Sequence, residues 1–244
     1  MKAVRLYEDG LKLEEIGRPE PQDGETLVRV YAAAITRDEL TWPTDRLPAI
    51  PSYELSGVVE SSGEEVIALT PFDRDGVAAE WAAVPTAVLA PKPPGLSHEE
   101  AAALPMPGLT AWQGLVTHGR LKTGERVIVT GARGGVGYAA VQLVRHLGAQ
   151  LVDEGAPCDL LFDTAGGDAL ARSARDAARI VTIAAEAPGA DYFVVEPNGA
   201  ELTALPHLEP QVDSVYPLSD FASAFDRSLQ RGKKGKVVLR VIDL

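Results

Sequence analysis

Cysteine is nearly absent: Cys158 is the only one in 244 residues. A single thiol forms no internal disulfide framework and no cysteine-rich zinc site. Basic excess is missing too. Lys and Arg number 23 against 35 Asp and Glu, a net charge of −12, which argues against general binding to nucleic acid or to an anionic membrane surface. No apolar run is long enough to span a bilayer. The start, Met1-Lys-Ala-Val-Arg-Leu-Tyr-Glu8, has no signal-peptide core, so a cytoplasmic protein is the expectation. No repeat or low-complexity tract stands out. What is there is ordinary globular material, 45% hydrophobic and 24% charged, enough for one to two domains with a core.

The most informative stretch runs from Val127 to Gly148. A short apolar run, residues 127–130, reads as a buried strand. Gly131-Ala-Arg-Gly-Gly-Val-Gly137 follows, and then a helical pattern with Val136, Ala140, Leu143, Val144 and Leu147 on one face. Gly148 is placed to end that helix. Strand, glycine turn and helix open a nucleotide-binding unit. The glycines let the backbone close on a pyrophosphate, and the helix N-terminus offers free N–H groups with a partial positive charge. Ala132 stands where the first glycine of G-x-G-x-x-G is usual, so the pattern is Ala132-x-Gly134-x-x-Gly137. The competing reading is a tight strand-to-helix turn that binds nothing.

Upstream, the chain reads as β-rich. Strand candidates at residues 2–7, 11–14, 26–34, 55–60, 65–68 and 79–84 are separated by Asp9-Gly10, Asp23-Gly24, Ser62-Gly63 and Asp75-Gly76. Short strands at this spacing suggest a small barrel or sandwich. Residues 90–97, with three prolines, read as irregular and as a domain boundary. Ser97-His-Glu-Glu100 is a capping box opening a short helix, 99–104, which Pro105 and Pro107 end. A second helix is expected at 109–118. Downstream, 159–163, 180–183 and 192–196 are strand-like, with a helix at 168–176. Ser219 is the expected cap of a helix with Phe221, Ala224, Phe225 and Leu229 apolar, and 236–241 is the last strand.

Several stretches recur in one family's order: Thr26-Leu-Val-Arg-Val-Tyr-Ala-Ala-Ala34, Leu55-Ser-Gly-Val-Val59, Ala101-Ala-Ala-Leu-Pro105, Gly108-Leu-Thr-Ala-Trp-Gln113, the glycine turn, Phe162-Asp-Thr-Ala-Gly-Gly167 and Gly235-Lys-Val-Val-Leu239. On them the chain resembles a medium-chain dehydrogenase/reductase of the zinc-free, quinone-reductase-like branch. The resemblance implies an α/β protein with a barrel-like, GroES-like catalytic domain over residues 1–96, completed by about 216–244. A doubly wound, parallel-sheet Rossmann domain would cover 97–215, with an active-site cleft between the two. Zinc is not expected. Zinc-dependent relatives carry Gly-His-Glu where this chain has Ser52-Tyr53-Glu54, and a cysteine where it has the 36–38 region. Glu54 is then expected to be structural, and His98, His118, His146 and His207 to be surface or helix-end residues.

One departure from the family pattern stands out. Little chain separates Leu147 from the strand at 159–163, which the resemblance makes the fourth. About 30 residues, one α-β unit, are missing. In one reading residues 150–152 are the second strand and Asp153 or Glu154 reads the adenosine ribose. In the other the segment is only a connector. Parallel strands need a crossover of about a dozen residues, which favours the connector and a shortened Rossmann sheet without an adenosine shelf. Deleting edge strands would bare an apolar flank, so a homodimer or a rearranged loop is expected to cover it.

By family position, Tyr53, Asp38 and Trp42 face the cleft as catalytic candidates. Tyr53 would be a donor or general acid, Asp38 a base and Trp42 a wall; a packed aromatic at Tyr53 and a solvated loop at Asp38 and Glu39 are the competing readings. Cofactor contacts fall on Thr110, Gly131, Arg133, Gly134, Gly135, Val136, Gly137 and Phe193, with Met106 nearby. Arg231, Lys233, Lys234 and Lys236 read as a solvated basic turn, and Cys158 as inert. NADP or NAD is the implied cofactor, though the missing unit argues against tight binding. The leading expectation is therefore an enzyme acting on a conjugated carbonyl or polyketide-like substrate with a degraded NAD(P) site, non-redox (cyclase, isomerase or dehydratase) chemistry included. An NAD(P)H-dependent quinone or enone oxidoreductase is the alternative, and a silent binding protein or scaffold a weaker one.

Overall fold

A computed structural model describes residues 1–42 and 46–242. The chain divides into two units: Met1–Pro105 with Pro197–Ala204 and Pro210–Leu244, and Met106–Glu196 with Leu205–Glu209.

In the first unit, β1 (Lys2–Tyr7) and β2 (Gly10–Glu15) form a hairpin closed at Tyr7 opposite Gly10. Then come β3 (Glu25–Ile35), β4 (Glu54–Val59), β5 (Glu65–Leu69), β6 (Trp81–Pro85) and β7 (Leu89–Pro91). The expected strands are thus present, with shifted ends. β7 lies in the proline-rich segment read as irregular: Pro91 is its last residue and an edge strand tolerates it. The eleven-residue β3 organises the sheet. Its first half pairs with β6, most of it borders β4, and a register shift between Val30 and Ala32 bends it. Its alternation buries Val28 and Val30 with Val4, Leu55 and Val84.

The capping box forms as expected at Ser97 and Glu100, opening α1 (His98–Ala102). The expected boundary at 96/97 differs from the contact division, because α1 belongs to the first unit. Ala102 and Ala103 pack on Ala32, Ala34 and Val238, where small side chains permit close approach. His98 stands at a helix end, as the first residue of α1, and not at the surface. It is buried, stacks on Tyr31 at 4.6 Å, and its Nδ1 is 2.7 Å from Ser56 Oγ.

The second unit opens at Met106, inside α2 (Pro105–Trp112), which runs into a π-turn, Gln113–His118. Pro105 and Pro107 stand in the first turn of α2, where no N–H is missed, so they start this helix as well as end the previous one. β8 (Arg126–Thr130), α3 (Gly135–His146), β9 (Gln150–Leu151), β10 (Cys158–Asp163), α4 (Gly167–Ser173), β11 (Ala177–Thr182) and β12 (Asp191–Tyr192) follow. They build a parallel sheet of order β12-β11-β10-β8-β9. Of the expected 192–196 strand only Tyr192 falls in β12, whose other residue is Asp191.

Here the favoured connector reading fails. β9 and β10 are both parallel strands of this sheet, on opposite sides of β8. The rule of about a dozen residues holds for a return along a full strand. β9 is two residues long and pairs at the start of β8, so residues 152–157 need only climb a residue or two and cross about 10 Å. Val152 packs on the way against the cluster of Ile128, Cys158 and Leu161. The exposed large apolar side chains among the described residues are Leu47, Tyr192, Val194, Val215 and Leu229, none of them on α3 or β9.

The first unit is completed by α5 (Gly199–Ala204), β13 (Val212–Pro217), α6 (Phe221–Leu229) and β14 (Lys236–Arg240). α6 buries Ala224 and Phe225, but Leu229 is 48% exposed, and its N-cap is Asp220 rather than Ser219. No described helix is long and apolar enough to cross a membrane.

Candidate active-site groups

In the second unit, the C-terminal ends of β8, β10 and β11 meet at one buried carboxylate. Asp163 accepts from the hydroxyls of Thr130 and Thr182 (2.8 Å for the latter) and from the N–H groups of Ala165 and Gly166 (3.3 and 3.0 Å). Thr164 Oγ1 returns a bond to Thr130 O at 2.7 Å. This latch fixes where the glycine turn leaves β8. Gly131 has φ +67°, and a Cβ there would lie 2.5 Å from Thr164 Oγ1. A Cβ on Gly137 would lie 2.2 Å from Gly131 O, so only glycine lets α3 start this close to the turn. Gly134 closes the turn, its N–H bonding Gly131 O at 2.9 Å, and caps α3 without a side chain. Arg133 and Gly134 are exposed; Gly135 and Val136 are half-buried. The sequence-named phosphate residues therefore stand together around the exposed N-terminus of a twelve-residue helix.

The other cofactor candidates are also in this unit. Thr110 is buried and donates to Met106 O at 2.6 Å. Phe193 is buried and stacks at 4.2 Å on His118, whose Nδ1 is 3.0 Å from Asp191 Oδ2. Asp153 follows β9 by two residues, and Glu154 faces Arg172 at 3.6 Å. Cys158 is buried, and burial pushes its thiol up, in keeping with an inert role.

In the first unit, Tyr53 is half-buried. It stacks on Trp42 with centroids 5.8 Å apart, and Phe72 packs edge-on to both rings at 5.3 Å. Burial, and then the neighbouring Glu39, push the Tyr53 phenol up, so it is a neutral donor. Its hydroxyl has no hydrogen-bond partner among the described residues. Asp38 is exposed, with φ +63° and a 3.5 Å contact to Arg37, as a solvated loop would have it.

Glu39, expected in that solvated loop, is instead buried. It accepts from Thr36 N at 2.9 Å, Ser52 N at 3.1 Å and Ser52 Oγ at 3.3 Å. Desolvation raises its pKa from 4.5 to about 7. Lys236, expected in a solvated turn, is buried too. It pairs with the fully buried Glu54 and donates to Thr36 Oγ1 at 2.9 Å. Arg231 and Lys234 do lie exposed, and Lys233 is half-buried. Sequence reading missed Glu39, Asp163 and Lys236 as site-building residues. The available signals were an acid straight after a buried strand at Asp163 and a lysine opening an apolar strand at Lys236.

Where zinc-dependent relatives carry Gly-His-Glu, this chain thus places the Ser52 hydroxyl, the Tyr53 phenol and the Glu54 carboxylate, the last paired with Lys236. Among the described residues no group of three or more His, Cys, Asp or Glu side chains is placed to hold a metal ion.

No protein-family model matches the chain. Individual proteins do. A 2-methylene-furan-3-one reductase of Solanum lycopersicum is 30% identical over 96% of this chain and 76% of that protein. A probable zinc-binding mitochondrial oxidoreductase of Arthroderma benhamiae is 29% identical, with 92% of each covered. That alignment spans 304 positions against 244 residues here, so the relative carries segments this chain lacks. The quinone oxidoreductase of Thermus thermophilus, solved alone and with NADPH, superposes with TM-score 0.83 and 31% identity, covering 99% of this chain and 100% of that one. Against the mouse quinone oxidoreductase the chain spans about half that protein's length. The fold and these relatives define the class. The chain belongs to the medium-chain dehydrogenase/reductase superfamily, with its quinone-oxidoreductase-like members.

Proposed function

We propose that the protein is a zinc-independent reductase of a conjugated carbonyl or quinone that uses NADPH or NADH. The observation carrying this reading is the intact glycine cradle: Gly131 in the left-handed region, Gly137 against Gly131 O, and an exposed helix start between them. Gly134, Gly135 and Val136 would meet the pyrophosphate through their N–H groups, and Arg133 would add charge-assisted bonds. Thr110, Met106 and Phe193 are assigned to the nicotinamide end by family position. Asp153, two residues beyond β9, suits a ribose hydroxyl. When bound, the cofactor would supply a hydride to the substrate. The chain's part is to polarise the carbonyl through the Tyr53 hydroxyl, which has no partner among the described residues, with Trp42 as a wall. The free edge of β12, beside exposed Tyr192 and Val194, supports a homodimer as the working form.

The two-residue β9 favours a second reading, a non-redox enzyme that keeps the fold without a working cofactor site. Calorimetric titration with NADPH and NADH, followed by oxidation of bound cofactor with benzoquinone, separates the two. Micromolar to submillimolar binding with turnover is the expected result. No binding at millimolar cofactor would overturn the reductase reading and leave the second.

A further inference from the structure

We propose that Glu39 is the positioning residue for Tyr53, its buried carboxylate tying the turn after β3 to the residue that precedes the phenol. The inference rests on the reading that Tyr53 meets the substrate. Two non-glycine residues in the left-handed region flank the tie: Asp38 at φ +63°, next to Glu39, and Ser52 at φ +64°, next to Tyr53. Each such conformation is costly and persists only where the surroundings impose it. Glu39 supplies that constraint. One oxygen accepts from Thr36 N at the end of β3; the other accepts from the N–H and the hydroxyl of Ser52. With Ser52 pinned, the backbone of Tyr53 is fixed further by bonds from Thr70 N at 2.7 Å and Thr70 Oγ1 at 3.1 Å to its carbonyl. The ring is then held between Trp42 and Phe72. Its hydroxyl is left without a partner among the described residues.

The charged groups acting on Glu39 are Lys236 of β14 and Glu54 of β4; the ionisable phenol of Tyr53 is also coupled to it. Glu39 reaches Tyr53 through backbone and through its field, without touching the phenolic oxygen. This makes it a positioning residue and not a catalytic one.

The test uses the full chain with 3-fluorotyrosine in place of tyrosine, read by fluorine NMR. The Tyr53 resonance is identified by its loss in Tyr53→Phe. In the unsubstituted protein that resonance is expected to be single and to move with pH with a midpoint near 7, following Glu39. In Glu39→Gln the pH step should vanish and the line should shift or split; Glu39→Asp should restore the step. With NADPH and benzoquinone, Glu39→Gln should lower kcat at least about fivefold with KM within about twofold. Combining it with Tyr53→Phe should cost no more than Tyr53→Phe alone. A Tyr53 resonance with the same position and pH step in folded Glu39→Gln overturns the proposal. Absence of turnover in the unsubstituted protein refutes the reductase reading and leaves the resonance test to stand by itself.

Discussion

Asp163 in the second unit and Glu39 in the first are both buried carboxylates beside a proposed site, and their partners differ in kind. Asp163 is met on both oxygens by two hydroxyls and two N–H groups from three strand ends and the following turn. Glu39 has two N–H groups and one long hydroxyl contact, with a lysine shared with a second carboxylate nearby. The first arrangement matches acceptor sites with donors and ties β8, β10 and β11 together. The second leaves desolvation uncompensated, which is why Glu39 titrates near 7.

The largest expected effect lies at Asp163. Asp163→Ala orphans several buried donors and should cost about 3–5 kcal/mol in urea unfolding. Asp163→Asn should cost less, since it keeps one acceptor oxygen. If Glu39→Gln proves more damaging than Asp163→Ala, the contrast is inverted.

The pH dependence comes next, and its sign is opposite to that of a typical carboxylate. The folded pKa of Glu39 lies above the unfolded value, so the native state binds the extra proton between about pH 4.5 and 7. The stability this contributes is fully present below pH 4.5 and is lost as pH rises through 7, about 3 kcal/mol over the window. Unfolding free energies of the unsubstituted protein and of Glu39→Gln should therefore diverge by roughly that amount between about pH 4.5 and 8, in favour of the variant at high pH. A constant difference across the range would remove the distinction between the two carboxylates.

How much of this is legible in the residues follows from the range of the interactions. The glycine turn, α3 and the Ser97 capping box depend on neighbours a few residues apart, and the sequence places them correctly. β9 escapes a rule made for full-length crossovers, because it is two residues long and its length is decided by pairing with β8. Glu39 and Lys236 look solvated in the sequence because acids and lysines in turns usually are; what buries them comes from Ser52, Glu54 and Thr36, far along the chain. Tyr53 and Trp42 are marked by family position, and the structure adds Phe72 to them.

A smaller effect separates two glycines of one turn. Gly137→Ala puts a Cβ 2.2 Å from backbone oxygen. It should cost about 1–3 kcal/mol and weaken NADPH binding. The nearest neighbour of a Cβ at Gly134 is 3.4 Å away, so Gly134→Ala should leave stability within about 1 kcal/mol. Equal costs at both would mean that α3 and the turn move apart freely, and the lock ascribed to Asp163 would not extend into the cradle.

The finest test compares single hydroxyls. Thr182 Oγ1 lies 2.8 Å from Asp163, within the ordinary range for a strong bond to a carboxylate, whereas Ser52 Oγ lies 3.3 Å from Glu39. Thr182→Val keeps the shape but removes both the donor to Asp163 and the acceptor of the Ala184 N–H, at about 1.5–3 kcal/mol. Ser52→Ala removes a long bond from an acid that still holds the backbone N–H at that position. Alanine has the same Cβ as serine, so the cost of φ +64° cancels in the comparison. A loss below about 1 kcal/mol is expected, together with a further rise in the Glu39 pKa, because one donor to the charged form has gone. Urea unfolding of the two variants at about pH 6 and pH 8 checks both parts: Thr182→Val should be uniformly weaker, and Ser52→Ala should lose more at the higher pH than at the lower.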